Sequence, residues 1–138
     1  MRPAVPLVKL VITTGEPSGV GPEVSIAAAR LFLEQQLNAH ITLLGDADLL
    51  ASLGLKDVDC IDRLSVLSIP AVSRSKSGLL DSMNASYVLQ LLDEATDGCL
   101  KGRYDAMVTA PIHKGIINES GVPFTGHTEY LQHLCDVD

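Results

Sequence analysis

The sequence predicts an α/β fold in which helices are layered on the two faces of a mainly parallel sheet. Short apolar runs alternate along the chain with longer segments of helical periodicity, an order typical of right-handed βαβ units. Hydrophobic residues make up 46% of the 138 residues, whereas aromatic residues make up 4% and Trp is absent. The core must therefore be aliphatic, as is usual for helices packed on a parallel sheet.

The first half of the chain predicts strands separated by two helices. The predicted elements, in chain order, are a strand over 8–13, a helix over 22–37, a strand over 40–44, a helix over 46–53 and two apolar strand pieces near 61 and at 66–69. Pro22 suits the first turn of a helix, and Asn38 suits its end. Asp46 is a typical capping residue, and Gly54 ends the second helix.

The second half predicts a long helix, a strand and two further helices. A polar segment at 73–78 comes first, and a strand over 106–109, a short helix over 112–119 and a helix from 126 to about 134 follow the long helix. The long helix has one apolar face, formed by Leu80, Met83, Tyr87, Val88, Leu91, Leu92 and Ala95. Gly102 supplies its end, and Pro111 disfavours helix at Ala110.

The composition excludes several classes of partner. The net charge of −7 and the absence of a basic stripe argue against nucleic acid, whose phosphates need facing positive charge. No apolar run is long enough to span a bilayer, which argues against a membrane partner. Three widely spaced cysteines without a CxxC pair indicate reduced thiols in a cytoplasmic protein.

A glycine-rich turn follows the first predicted strand and spans Gly15 to Gly21. Its position between strand and helix favours comparison with a phosphate-binding loop. Its spacing matches neither GxGxxG nor a Walker loop, since no Lys-Ser or Lys-Thr follows the last glycine. We therefore interpret it first as a tight structural turn, with phosphate binding as the alternative.

Two polar turns border the strand predicted at 106–109. One carries His113 and Lys114 after the strand, and the other carries His127 and Thr128 before the last helix. Ligands of open α/β sheets bind beyond the carboxyl ends of strands, and His and Thr can both donate and accept hydrogen bonds. These four residues are therefore the candidates for contacts with a polar substrate.

Several of these residues have structural interpretations as well. Lys114 either offsets the charge of a substrate phosphate or carboxylate or is a solvated lysine on a turn. His113 equally suits helix capping or packing, and His133 suits the surface. The spacing of the four histidines indicates no metal triad, and His40 suits a strand edge without a partner.

Three stretches carry a family resemblance that covers nearly the whole chain and is weakest over 56–77. They are TTGEPSGVGPE at 13–23, DGCLKGRYDAMVTAPIHKGIIN at 97–118 and GVPFTGHTEYL at 121–131. Together they resemble the 4-hydroxythreonine-4-phosphate dehydrogenase family of pyridoxal phosphate biosynthesis. One mild departure lies in the first turn, where Ser18 follows Pro17 and the family often has Pro-Ala.

The resemblance implies an NAD- and metal-dependent enzyme that oxidises and decarboxylates 4-phosphohydroxy-L-threonine on the route to pyridoxal 5'-phosphate (vitamin B6). It also implies a homodimer with a fold similar to isocitrate and isopropylmalate dehydrogenases. The His-Thr pair of the family contacts substrate, which implies that role for His127 and Thr128 and leaves His113 and Lys114 as accessory candidates. The family's metal ligands and most of its NAD site lie beyond the matched segment. No residue here is therefore expected to be catalytic, cofactor-binding or metal-binding.

Members of this family are much longer than 138 residues. We expect residues 1–138 to be the N-terminal part of a two-domain dehydrogenase, without an internal boundary and inactive alone. NAD and a divalent metal, whether zinc, magnesium, manganese or cobalt, are expected in the full-length enzyme and not in this segment. The end at Asp138, without a cap or closing strand, fits a cut inside a larger protein.

Two alternatives remain open from the sequence. A related dehydrogenase acting on a 4-phosphorylated sugar acid, such as threonate or erythronate phosphate, would use the same GHTE stretch. A stand-alone module that binds a phosphorylated ligand is a different class of protein. A natural stop codon after Asp138 would favour the module, whereas further histidine-bearing segments would favour the enzyme.

Overall fold

The computed structural model describes residues 3–35, 38–55 and 61–138. Its strands are β1 at Val8–Thr13, β2 at Ala39–Gly45, β3 at Leu64–Ser68 and β4 at Ala106–Thr109. They form one parallel sheet in the spatial order β3-β2-β1-β4. The register aligns Thr13 with Leu44 on one side and Thr109 on the other, so three strands end at the same edge.

The helices of the described residues follow the strands as βαβ connections require. They are α1 at Gly21–Glu34, α2 at Ala47–Ser52, α3 at Ala85–Leu100, α4 at Lys114–Glu119 and α5 at His127–Cys135. Asp46 caps α2, because its Oδ1 accepts a hydrogen bond from the Leu49 amide at 2.9 Å. None of these helices combines the length and apolar character that crossing a membrane requires.

Apolar side chains cover both faces of the sheet. Val11 and Leu44 pack on the α3 face, and Ile12 and Leu43 pack on the α1 face. The α3 face also buries Tyr87, Leu91, Leu92 and Ile117, and the α1 face buries Ile26, Ala29, Leu33 and Leu50. Each fully buried Val, Leu or Ile side chain contributes roughly 1.5–3 kcal/mol to folding. The prediction of layered helices on a mainly parallel sheet is confirmed.

The long helix begins later than its apolar pattern predicted. A 3-10 turn at Ser82–Asn84 precedes α3, and the side chains of Leu80 and Met83, assigned to the buried face, are 42% and 59% exposed. Asn84 is buried, its Oδ1 accepts from the Ser73 amide at 2.9 Å, and its Nδ2 donates to the Ser73 carbonyl at 3.2 Å. This long-range pairing fixes how the chain enters the helix, and hydrophobic periodicity does not reveal it.

Other boundaries differ by a few residues. The helix predicted over 22–37 ends at Glu34, and residues 36–37 lie outside the described part of the chain. The apolar piece near Ile61 is not a strand, because β3 begins at Leu64; residues 56–60 are not described. The short helix begins at Lys114 instead of 112, because His113 is its cap.

His40 lies near the start of its strand, β2, as the sequence predicted, but it is not without a partner. His40 Nε2 lies 2.8 Å from the Ser65 hydroxyl of β3. The partner is 25 residues away in sequence, so no local pattern could reveal the pair.

We predict that Gly98→Ala destabilises the chain by about 1–2 kcal/mol, because overpacking costs more than the added helix propensity gains. A Cβ at Gly98 would overlap the ring of Tyr104, which packs against that turn of α3. Thermal unfolding followed by circular dichroism measures the change. Gly19→Ala is the control, since a Cβ there meets no atom closer than 3.5 Å. Equal melting temperatures for Gly98→Ala and the parent chain would contradict the prediction.

Candidate functional site

Two turns meet at the carboxyl edge of the sheet, one after β1 and one after β4. The Glu16 amide donates to the Pro111 carbonyl at 3.1 Å. The Ala110 amide donates to the Thr13 carbonyl at 3.0 Å. Gly15 has a φ of 75°, and a Cβ there would overlap the Pro111 oxygen, so both backbone conformation and close approach require glycine.

The turn after β1 is closed by its own side chains. Glu16 is 4% exposed, and its Oε1 accepts hydrogen bonds from the amide and the hydroxyl of Ser18 at 3.2 and 2.9 Å. Within the described ranges, Glu16 Oε2 and Thr13 Oγ1 are buried without a hydrogen-bond partner. An acidic side chain inside the turn opposes a bound phosphate. This geometry favours the structural interpretation of the span from Gly15 to Gly21.

His113 is the N-terminal cap of α4. Its Nδ1 accepts a hydrogen bond from the Ile116 amide at 3.1 Å. In the neutral ring the proton then resides on Nε2, which is a donor. Of the two structural interpretations of His113, the geometry selects capping over packing, and the residue is exposed.

His127 is the first residue of α5 and is half-buried. Its Nε2 is buried and has no hydrogen-bond partner among the residues that the structure describes. Burial lowers the pKa of His127 below its ordinary value, and the Lys114 ammonium lowers it further. Both effects favour the neutral form of the imidazole. A buried polar atom without a partner costs about 1–3 kcal/mol, which a ligand hydrogen bond would recover.

Two charged side chains approach the entrance to α5. A Cβ added at Gly126 would lie 2.9 Å from Oε2 of Glu129 and 3.3 Å from Nζ of Lys114. Gly126 is itself buried, with an extended backbone at a φ of 166°. The nearest atoms are the ends of two flexible side chains, which could move aside for a Cβ. Lys114 thus lies beside both Gly126 and His127.

Thr128, His133 and His40 differ in how close they lie to His127. Thr128 is exposed in the first turn of α5, directly after His127. His133 is exposed on the same helix, as expected, and His40 lies within the sheet. The structure therefore brings Lys114, His127 and Thr128 into one neighbourhood and leaves His40 and His133 outside it.

The described residues do not fit a metal centre. No group of three or more His, Cys, Asp or Glu side chains in ranges 3–35, 38–55 and 61–138 is arranged to hold an ion. The turn after β1 provides no Lys, and its carboxylic side chain is folded inwards. We therefore assign neither a metal ligand nor a dinucleotide contact to these residues.

A cavity of about 410 Å³ also opens at the carboxyl edge, between α2 and the segment that follows β3. Its lining consists of Asp46, Asp48, Leu49, Ser52, Ala71, Ser73, Arg74 and Ser75. Acidic, basic and hydroxyl groups are mixed there, and both oxygens of Asp46 accept backbone hydrogen bonds. This cavity does not include His127, and its mixed charge selects no ligand.

A family profile described as "Pyridoxal phosphate biosynthetic protein PdxA" matches residues 22–138. The chain belongs to this family. It is 49% identical over 128 residues to a 4-hydroxythreonine-4-phosphate dehydrogenase of Burkholderia vietnamiensis, covering 89% of this chain and 39% of that protein. It is 45% identical over 140 residues to the protein of the same name from Ralstonia nicotianae, covering 91% and 41%. The PdxA-family chain thus spans about two fifths of the length of these curated relatives.

Solved structures show the same fold. A 4-hydroxythreonine-4-phosphate dehydrogenase from Burkholderia phymatum superposes with a TM-score of 0.79 at 24% identity, covering 96% of this chain and 44% of that chain. The Klebsiella pneumoniae structure of that name gives a TM-score of 0.74 at 21% identity, covering 94% and 45%. At these identities the comparison establishes the fold of the PdxA-family chain, which is the dehydrogenase-like fold that the sequence predicted.

Sequence reasoning missed Glu129 in this PdxA-family chain. The residue ends the GHTE stretch and is a further charged side chain at the entrance to α5. Its position three residues after Gly126, in the first helical turn, was the available signal, since positions i and i+3 share one face of a helix. Its carboxylate and the Lys114 ammonium both lie close to Gly126.

Proposed function

We propose that this chain is the N-terminal part of a longer two-domain, NAD-dependent dehydrogenase that oxidises and decarboxylates 4-phosphohydroxy-L-threonine in pyridoxal 5'-phosphate biosynthesis. Membership of the PdxA family supports the proposal, as do relatives named 4-hydroxythreonine-4-phosphate dehydrogenase. The single observation that carries it at the level of residues is Nε2 of His127, which is buried beside the Lys114 ammonium and has no hydrogen-bond partner within the described ranges.

The proposed substrate carries a phosphate, a carboxylate, an amine and a hydroxyl, so its site must provide several convergent polar groups. We assign His127 as a neutral imidazole that hydrogen-bonds the substrate, and Thr128 as a hydroxyl that donates and accepts beside it. Lys114 supplies positive charge that offsets the phosphate or the carboxylate. His113, whose Nδ1 is occupied by the α4 cap, is an accessory Nε2–H donor at the same edge.

NAD and the divalent metal belong to the longer protein in this proposal. The described residues form no metal cluster, so no step of the reaction is assigned to a metal held here. The part of the reaction that these residues perform is to bind and orient the substrate. The metal, whether zinc, magnesium, manganese or cobalt, and most of the NAD contacts are assigned to segments outside this chain.

We further propose that the longer protein is a cytoplasmic homodimer whose ligand is a small phosphorylated hydroxy acid. Free Cys99 and Cys135 fit a reducing compartment. The net charge of −7 fits neither a nucleic-acid nor an anionic-membrane partner.

The test is NAD reduction by the longer protein with 4-phosphohydroxy-L-threonine and added divalent metal. We expect turnover that a chelator abolishes, and a lower kcat/KM with threonate 4-phosphate or erythronate 4-phosphate. Heat-treated protein supplies the background rate. A higher kcat/KM with a sugar-acid phosphate would replace the proposed substrate, and the absence of turnover with all three would overturn the dehydrogenase assignment.

A further inference from the structure

The side chain of Asn118, on the last turn of α4, bonds to the backbone of two separate segments. Its Nδ2 donates to the Lys114 carbonyl at 3.0 Å and to the Phe124 carbonyl at 2.9 Å. Its Oδ1 accepts from the Phe124 amide at 2.8 Å. One amide group therefore connects the residue that carries the candidate cation with the segment that leads to His127.

Within that segment, Phe124 is held in place by both packing and hydrogen bonds. Its side chain is 4% exposed and packs against Tyr130, with ring centroids 5.6 Å apart. Asn118 satisfies both its amide and its carbonyl. Two residues, Thr125 and Gly126, separate Phe124 from His127, so a displaced Phe124 backbone would displace the imidazole as well.

The end of α4 does not need the hydrogen bonds that the Asn118 side chain makes to Phe124. The Ser120 amide donates to the Ile117 carbonyl at 3.1 Å, and the Gly121 amide donates to the Asn118 carbonyl at 3.0 Å. Gly121 adopts a φ of 93°, as expected just after a helix end. The helix is thus closed by backbone groups, and the Asn118 side chain is left for the contact with Phe124.

We propose that Asn118 is a positioning residue that holds His127 against Lys114 at the entrance to α5. Its effect on turnover rests on the proposed dehydrogenase function, whereas its effect on the position of His127 does not. The Lys114 ammonium lies near this imidazole and the Glu129 carboxylate lies near the adjacent Gly126, and the surroundings of both change if the segment through Phe124 moves.

The first test is an NMR titration of the His127 imidazole in the 138-residue chain, with His127→Gln used to assign its resonance. In Asn118→Ala, release of the segment exposes the ring, and its pKa is expected to rise toward the ordinary value of about 6.5. Ser120→Ala is the matched control, because it removes a hydrogen bond to the Ile117 carbonyl at the same helix end and leaves Phe124 untouched.

Asn118→Ser provides a second variant if Asn118→Ala does not fold, because serine is too short to bond both Phe124 groups. An upward pKa shift in either folded variant, without one in Ser120→Ala, supports the proposal. An unchanged His127 pKa in a folded Asn118 variant overturns it, as does an equal shift in Ser120→Ala.

The second test is a double-variant cycle in the longer protein. Asn118→Ala is expected to lower kcat/KM about 3- to 10-fold, and to lower it no further when His127→Ala is already present. Fully additive losses would overturn the claim that Asn118 acts through His127. A pKa shift in a longer protein that lacks turnover would contradict the proposed function and support the positioning role.

Discussion

The 138-residue chain assayed alone is expected to reduce no NAD above background with 4-phosphohydroxy-L-threonine and divalent metal. The described residues hold no cluster of three metal-binding side chains, and the chain spans 39% and 41% of two relatives that carry the dehydrogenase name. The role proposed for His127 and Thr128 is to orient the substrate, and orientation alone provides neither a binding site for NAD, the hydride acceptor, nor a group that stabilises a developing oxyanion. The absence of those groups predicts a complete loss of turnover.

The assayed chain must be shown to be folded, because an unfolded chain would also be inactive. Circular dichroism and a cooperative thermal transition provide that control, and the longer protein assayed in parallel provides the positive one. Turnover by the purified chain, at a rate that scales with its concentration, would contradict the prediction. Such a result would also show that a complete site can be assembled from these residues.

The sheet was the most predictable part of the fold. The strands at Val8–Thr13 and Ala106–Thr109 were placed with the observed bounds, because short apolar runs between turn residues leave few alternatives. The caps at Asp46 and His113 follow from side chains that bond to the backbone within a few residues. Signals of this kind are local, and the sequence displays them directly.

Contacts between distant segments could not be predicted in the same way. The start of α3 depends on Asn84 bonding to Ser73, and the position of His40 depends on Ser65. Leu31 falls within α1 but is 61% exposed, because the buried stripe of that helix contains Ala29 and Leu33. Periodicity indicates that a helix forms, but it does not specify which of its neighbouring faces meets the sheet.

The candidate site depends both on local sequence signals and on contacts between distant segments. The residue types and the family resemblance indicated His127 and Thr128, but their placement depended on the path of the chain between α4 and α5. That path returns to Lys114, and the paired bonds of Asn118 to Phe124 define it. Asn118 had no signal in the sequence, because an asparagine near a helix end is ordinary and its partner lies in a loop.

In the longer protein, His127→Ala is expected to lower kcat/KM with 4-phosphohydroxy-L-threonine by about 10- to 150-fold. This corresponds to the loss of one hydrogen bond to a charged group, about 1.5–3 kcal/mol. The physical reason is the environment of Nε2, which is buried without a partner among the described residues, while burial and the nearby Lys114 ammonium lower the pKa of the ring. A ligand group placed beside Nε2 would supply the hydrogen bond that it lacks among the described residues.

His133→Ala is the matched control, because His133 is an exposed histidine on the same helix, α5. Its kcat and KM are expected to equal those of the parent, and both variants are expected to melt within a few degrees of it. His127→Gln retains an amide donor near the position of the ring and should recover part of the loss.

A His127→Ala enzyme with unchanged kcat and KM and a normal melting curve would remove His127 from the substrate site. Equal losses in His133→Ala would instead indicate that α5 responds as a whole, and the specific role of Nε2 would be rejected.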